Sequence, residues 1–233
     1  MDYSKLVLFD IDGTLIQHIG ESHFSKRVRA AAKSAYNVEV SELDVANFHG
    51  SVDKDTSWSI LKESGISYDT FEKHFETYSN SMYDYLVAAA SGGSLYKKIA
   101  DAETLAWKVK NTPHIALGLL TGNVKRIGYW KLEHAGLGGI FSWGVFGDEA
   151  NDRIELAKMV PHEAHVEFKV PFRPDQIYVI GDTIYDVRCA KSVGAHCIAV
   201  TTGRHVSRAE LEAETPDLVV DSLMDEQVIR MLF

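Results

Sequence analysis

Three short apolar runs in this chain each end on a polar residue with chemistry to offer. Leu6-Val7-Leu8-Phe9 ends at Asp10, Ile115 to Leu120 ends at Thr121, and Ile177-Tyr178-Val179-Ile180 runs through Gly181 to Asp182. Asp12 lies two residues beyond Asp10 on an extended segment, so the two carboxylates can lean to the same side. Gly13 permits the sharp turn that follows. Asp186 stands one helical turn beyond Asp182. Carboxylates brought together repel unless a cation or a proton intervenes. Hard oxygen ligands of this kind suit Mg²⁺, which binds through one or two carboxylates plus phosphate. Thr121 offers a hydroxyl. Gly122 and Asn123 offer backbone N–H groups where the next helix begins, and a helix start attracts anions. An anionic ligand facing an acidic cluster also needs a basic side chain. Arg153, at the start of the helix after Gly147-Asp148, is the candidate.

For these residues to meet, the runs must be parallel strands. Each run is short, apolar on both faces and bounded by turn residues, as are His196 to Val200 and Leu218-Val219-Val220, the pattern of strands covered by helices on both sides. Helical segments alternate with them, at 124–137 and 184–193. The expected fold is α/β, a doubly wound parallel sheet, whose ligands bind outside the carboxyl ends of the strands. The interval 15–114 breaks the alternation and is too long for a loop. Apolar residues recur there at helical steps: Phe24, Val28, Ala31 and Ala35; Phe71, Phe75, Tyr78, Met82, Tyr85 and Ala89. A helix around Trp58 to Leu61 completes a bundle inserted at 17–90, with residues 1–16 and 91–233 forming the sheet domain. Ser91-Gly92-Gly93-Ser94 reads as the return hinge. Residues 95–110 read as one core helix, and Pro161 is expected to split the helical stretch 152–169.

The chain's 24 basic and 33 acidic residues give a net charge of −9, which disfavours nucleic acid as a partner. Apolar content of 45% excludes a disordered chain. Neither a secretory leader nor a membrane span is evident, so no membrane association is expected and the cytoplasm is the expected location. Cys189 and Cys197 read as small buried hydrophobes in a reducing compartment. His162 and His165 lack a third metal partner. Lys108, Lys110, Lys125, Arg126 and Lys131 read as solvated helix faces, and Asp148, Glu149 and Asp152 as a solvated loop.

Phe9-Asp10-Ile11-Asp12-Gly13-Thr14, Leu120-Thr121-Gly122-Asn123 and Gly181-Asp182-Thr183-Ile184-Tyr185-Asp186, in this order and strand context, resemble the motifs of haloacid dehalogenase (HAD) superfamily phosphatases. The resemblance spans nearly the whole chain and extends to a Rossmann-like core with a helical cap, of the phosphoglycolate phosphatase kind. It implies Asp10 as nucleophile, forming an aspartyl-phosphate, and Asp12 as the acid and then the base. It implies Mg²⁺ between Asp10, the backbone carbonyl of Asp12, and Asp182, with Asp186 holding the metal or its waters. Thr121, Gly122, Asn123 and a third-motif base would bind the phosphoryl group. Many members carry Lys before Pro in that third motif; this chain has no Lys-Pro, leaving Arg153 or Lys158. A cap loop, Gly-x-Thr-Asp in many members, corresponds to Gly50-Ser51-Val52-Asp53 after His49.

The expected activity is Mg²⁺-dependent hydrolysis of a small phosphorylated metabolite by a monomer or weak homodimer. The alternatives are a sugar-phosphate mutase similar to β-phosphoglucomutase and a non-catalytic phosphate-binding protein. A dehalogenase is disfavoured by Asp12, and a receiver-type signalling domain by the helical insertion.

Overall fold

The structure is a computed structural model and describes residues 3–41, 43 and 50–233. The helical-stripe residues of the bundle fall within these, whereas His49 lies outside them.

β1 (Lys5–Phe9) is the hub. Leu6 and Leu8 point to one face and Val7 and Phe9 to the other, and all four are fully buried. A strand apolar on both sides must be covered on both, and its backbone pairs with neighbours on both edges. Those neighbours are β4 (Ile115–Thr121) and β6 (Ile177–Gly181), each parallel to it. β5 (Gly144–Phe146), β7 (His196–Val200) and β8 (Leu218–Val220) extend the sheet to the order β5-β4-β1-β6-β7-β8. The chain winds from β1 outward through β4 and β5, then returns to β6 and winds the other way. The order therefore reverses between β1 and β6, where the carboxyl ends of strands open a crevice. This is the expected α/β doubly wound sheet.

Helices pack on both faces. α4 (Ala100–Lys110), α5 (Lys125–His134) and α9 (Glu226–Leu232) bury residues in the cluster containing Val7 and Phe9. α6 (Arg153–Phe168), α7 (Ile184–Ser192) and α8 (Arg208–Ala213) bury theirs in the cluster containing Leu6 and Leu8. Among the described residues no helix is long and apolar enough to cross a membrane.

Between β1 and β4 the chain leaves through β2 (Ile16–His18), forms α1 (Phe24–Tyr36), α2 (Asp53–Glu63) and α3 (Tyr68–Ala90), and returns through β3 (Tyr96–Lys98). The apolar stripes of α1 and α3 face each other, with Val28, Ala31, Phe71, Tyr78 and Met82 buried. β2 and β3 pair antiparallel, His18 opposite Tyr96, so outgoing and incoming chains are tied together.

Two expectations are corrected. Residues 95–110 are not one helix: 96–98 form β3, and the helix begins at Ala100. Leu95 and Ile99 stay on the helical period, but their backbones instead pair with the outgoing chain, Ile19 N–H donating to Leu95 O and Ile99 N–H to Leu15 O. Pro161 does not split α6, which is continuous. The proline removes one backbone donor. Leu156, Ala157, Val160 and Ala164, on both sides of it, are buried against the sheet and hold the two turns in line.

Candidate active site

Asp10 leaves β1 at the crevice and is buried, its backbone N–H donating to Ile180 O at 2.9 Å. Gly13, φ +87°, then turns the chain so tightly that a Cβ there would stand 2.2 Å from Asp182 Oδ2. Only glycine brings the first loop this close to Asp182. Thr14 donates its hydroxyl to Asp182 Oδ1 at 2.9 Å.

Asp186 is set by a local device. Thr183 caps α7 by accepting Asp186 N–H, while Asp186 Oδ2 accepts from Thr183 N (3.0 Å) and Oγ1 (2.6 Å). This reciprocal box fixes the carboxylate at the base of the site. Oxygens of Asp10, Asp182 and Asp186 all lie within 4.8 Å of one another, and all three residues are buried. Burial pushes Asp10 up to about 7; Arg153 opposes the shift, and the charges of Asp186 and Asp12 add to it. Asp182 is raised well above its ordinary value, first by burial and then by Asp10 and Asp186. Three buried acids in such mutual repulsion, with Asp182 Oδ2 left over from the Thr14 bond, fit a hard divalent cation.

Arg153 enters this cluster because Asp152 caps α6, accepting from Ile154 N (2.7 Å) and Glu155 N (2.8 Å), which makes Arg153 the first helical residue. Its guanidinium hydrogen-bonds Asp10 Oδ1 at 3.4 Å and pairs with Asp186. Burial alone would weaken its charge, but Asp186 and Asp10 more than offset that, so it stays cationic. Lys158 is exposed on the outer side of the same helix. In the acidic loop Asp148 Oδ1 accepts Lys125 N–H at the start of α5, and Glu149 Oε2 accepts Phe146 N–H at the end of β5.

Thr121 is fully buried at the end of β4, its Oγ1 accepting from Asn123 Nδ2 at 2.9 Å. Asn123 Nδ2 also donates to Asp12 Oδ2 at 2.8 Å. Asp12 stands apart from the carboxylate triad, its side chain directed to Asn123 and to Lys131, whose Nζ is 2.6 Å from Asp12 Oδ2. Burial would raise Asp12, but Lys131, then His18 and Asn123, hold it well below the usual carboxylate range. His18, 3.9 Å from Asp12 Oδ1, is itself pushed down to about 4 by burial.

Lys131 corrects the reading of it as a solvated lysine: it is 3% exposed. It shares the inward face of α5 with Ile127, four residues earlier, and that spacing is the signal that a lysine sits in an apolar stripe. Gly122 also lines one cavity of about 360 Å³ with Asp10, Asp12, Thr121, Asn123, Arg153 and Asp182, whereas neither Lys158 nor Asp186 lines it.

The loop before α2 closes on this cavity. Asp53 N–H donates to Gly122 O at 2.7 Å, and Asp53 accepts from Val124 N (3.2 Å) and Arg27 (2.9 Å). A Cβ on Gly122 would stand 2.1 Å from the carbonyl oxygen of Ser51. Gly122→Ala is therefore expected to push the loop away while the sheet stays folded. The backbone amides of Asp53 and Val124 should exchange with solvent roughly tenfold faster, the cost of about one lost hydrogen bond, with those of β1 and β6 unchanged. Equal protection in both proteins would show that the contact is not needed.

With sheet, switch point, carboxylate cluster and strand-end threonine in place, the chain's similarity to known proteins has a structural frame. Residues 155–225 match the HAD-hydrolase-like family model. In solved structures the fold recurs over almost the whole length. A haloacid dehalogenase-like family hydrolase from Streptococcus pneumoniae superposes with TM-score 0.63 at 18% identity, covering 98% of each chain. A β-phosphoglucomutase from Clostridium difficile gives 0.67 at 17%, covering 99% of this chain and 96% of that one. Over residues 155–225 the chain thus resembles HAD-like hydrolases, and its fold is the one these solved structures share. Among curated proteins it is similar to phosphoglycolate phosphatase 1 of Pseudomonas aeruginosa, 24% identical over 226 residues, covering 95% of this chain and 78% of that protein. It is likewise similar to phosphoglycolate phosphatase of Pectobacterium atrosepticum, 24% identical over 229 residues, covering 93% and 88%.

Proposed function

We propose that the protein is a Mg²⁺-dependent phosphomonoester hydrolase for a small phosphorylated metabolite, with residues 17–90 as a cap over a core of 1–16 and 91–233. The observation that carries the reading is the division of the cavity. Asp10 sits between an acid cluster with its own guanidinium and a hydroxyl–amide pair, Thr121 and Asn123, while a second carboxylate, Asp12, is held separately.

An Asp10 oxygen attacks phosphorus, the bond from phosphorus to the leaving oxygen breaks, and Asp12 gives that oxygen a proton. Asp12 is held ionised in the free site; the incoming phosphoryl charge raises its proton affinity, as any like charge nearby does, and it takes up a proton from solvent or from the monoprotonated ester before passing it to the leaving oxygen. Water then attacks phosphorus, Asp12 takes its proton, the Asp10–phosphorus bond breaks and phosphate leaves. Asp10, Asp182 and the Asp12 carbonyl would hold Mg²⁺, with Asp186 supporting it. When bound, the ion neutralises charge between the carboxylates and the phosphoryl oxygens. Arg153 presents a planar fork to those oxygens. Thr121 and the Gly122 and Asn123 amides hold the remaining ones.

Phosphate release from a panel of esters with Mg²⁺ tests the reading. The panel should include an aryl phosphate, phosphoglycolate, sugar phosphates and nucleotides. Phosphoglycolate leads because the curated relatives carry its name. Release from no ester would overturn the reading. Turnover of a sugar phosphate only with a bisphosphate primer would replace the hydrolase by a mutase.

A further inference from the structure

We propose that Lys131 is the positioning residue for the acid–base group: it holds Asp12 and Asn123 in register and acts on the reaction through Asp12. The inference rests on the role given to Asp12 above.

Lys131, Asp12 and Asn123 form a closed ring. Lys131 Nζ donates to Asp12 Oδ2 and to Asn123 Oδ1, both at 2.6 Å. Asn123 Nδ2 completes the ring by donating to Asp12 Oδ2 at 2.8 Å, and it reaches Thr121 Oγ1 at 2.9 Å. The ammonium can only donate, so it requires the Asn123 amide to present its oxygen. The Asp12 carboxylate, which only accepts, takes the amide nitrogen, and Lys131 takes the amide oxygen, so the two charged groups together fix the amide in one orientation.

Asp12 has little else to hold it. Its Oδ1 is buried without a hydrogen-bond partner, and no other protein donor reaches its carboxylate among the described residues. His18 Nε2, at 3.9 Å from Oδ1, is beyond hydrogen-bond range. Two donors on one oxygen therefore fix the carboxylate's torsion, and Lys131 is the charged one of the two. Such a bond is shorter and stronger than one between neutral groups.

Lys131 is itself anchored. It is buried on α5, one turn after Ile127, and its ammonium lies 5.5 Å from the centre of the Tyr96 ring. Tyr96 belongs to β3, at the return from the inserted helices, and its ring lies tilted against that of His18 of β2, centroids 4.8 Å apart. The ammonium is thus confined from the side of the insertion as well as from the core.

A double-mutant cycle on the metal-loaded full chain tests this, using Lys131→Met, Asp12→Asn and the pair, with alkyl and aryl phosphates as substrates. Lys131→Met should lower kcat on alkyl esters by about 10–100-fold, the usual scale for a misplaced catalytic group. The loss should be smaller on an activated aryl ester, whose leaving oxygen needs no proton, and KM should change by less than about twofold. In the Asp12→Asn background, Lys131→Met should cost less than about twofold more, because the partner it acts through is gone. Losses that multiply in the double variant, or that are equal across esters with raised KM, would overturn the proposal and make Lys131 a direct phosphate ligand. If Lys131→Met fails to fold, Lys131→Gln, which keeps a donor of lower reach, carries the same cycle. If Asp12→Asn itself shows no leaving-group dependence, the role of Asp12 fails first, and that outcome is visible without Lys131.

Discussion

Asp10→Asn is expected to lower turnover by about 10⁴-fold or more, the scale on which enzymes lose a nucleophile, and to leave no phosphorylated protein after acid quenching. The substitution keeps the shape of the side chain and one oxygen for Arg153, so the fold should survive. Asp10 is buried in a pocket of acids, and an amide in its place removes a charge that burial and Asp186 already oppose. The variant should therefore bind phosphorylated ligands at least as well as the native protein while failing to turn them over. Asp12→Asn is its counterpart. It keeps the proposed nucleophile and loses the proposed base, so phosphorylated protein should accumulate, with the phosphoryl group on Asp10. Mass spectrometry of quenched protein reads both outcomes. A phosphoryl group on any other residue, or comparable turnover by Asp10→Asn, would exclude the aspartyl-phosphate route.

Asp10 and Asp182 are legible in the amino-acid sequence because each ends an apolar run. A strand buried on both faces cannot carry an aspartate, so Phe9-Asp10 and Ile180-Gly181-Asp182 mark where strands stop. Parallel pairing in register then makes the ends coincide, with Phe9 opposite Leu119 and Ile180. Arg153 is legible as the first residue of a helix, although its acid partners are not. Lys131 escapes a sequence reading for a physical reason: lysine is almost always solvated, and its partner Asp12 lies 119 positions away in sequence. β2 and β3 escape it because three-residue strands carry almost no period, and their pairing joins residues about 80 positions apart. Leu95 and Ile99 belong in spacing to the α4 stripe, so the tie at the base of the insertion is hidden inside a helical pattern.

Asp182→Asn should move stability and activity in opposite directions. Asp182 is buried beside Asp10 and Asp186, with burial and then those two charges raising it well above the ordinary value of 3.8. Asp10 is raised in the same way, to about 7. A carboxyl whose value is raised on folding holds its proton in the folded chain at pH values where the unfolded chain has released it. Its contribution to stability is complete below 3.8 and is lost as pH rises through the folded value. The metal-free protein should accordingly become less stable from about pH 4 to about pH 7, and Mg²⁺ should restore more at pH 8 than at pH 5. Asparagine at 182 is neutral at every pH, and its oxygen can still accept from Thr14. In chelator at pH 8 the variant should melt at least about 2–4 °C above the native protein, the shift that about 1 kcal/mol produces in a chain of this size. At pH 4, where the native carboxyl is protonated, the two should melt together. Turnover should fall by about 10²–10³-fold, because a cation held by fewer charges neutralises the developing phosphoryl charge less well. Mg²⁺ should also stabilise the variant much less than the native protein. A variant that melts lower than the native protein in chelator at pH 8 would show that Asp182 is held by bonds the cluster needs. A variant that turns over normally would show that its carboxylate is not part of a metal site.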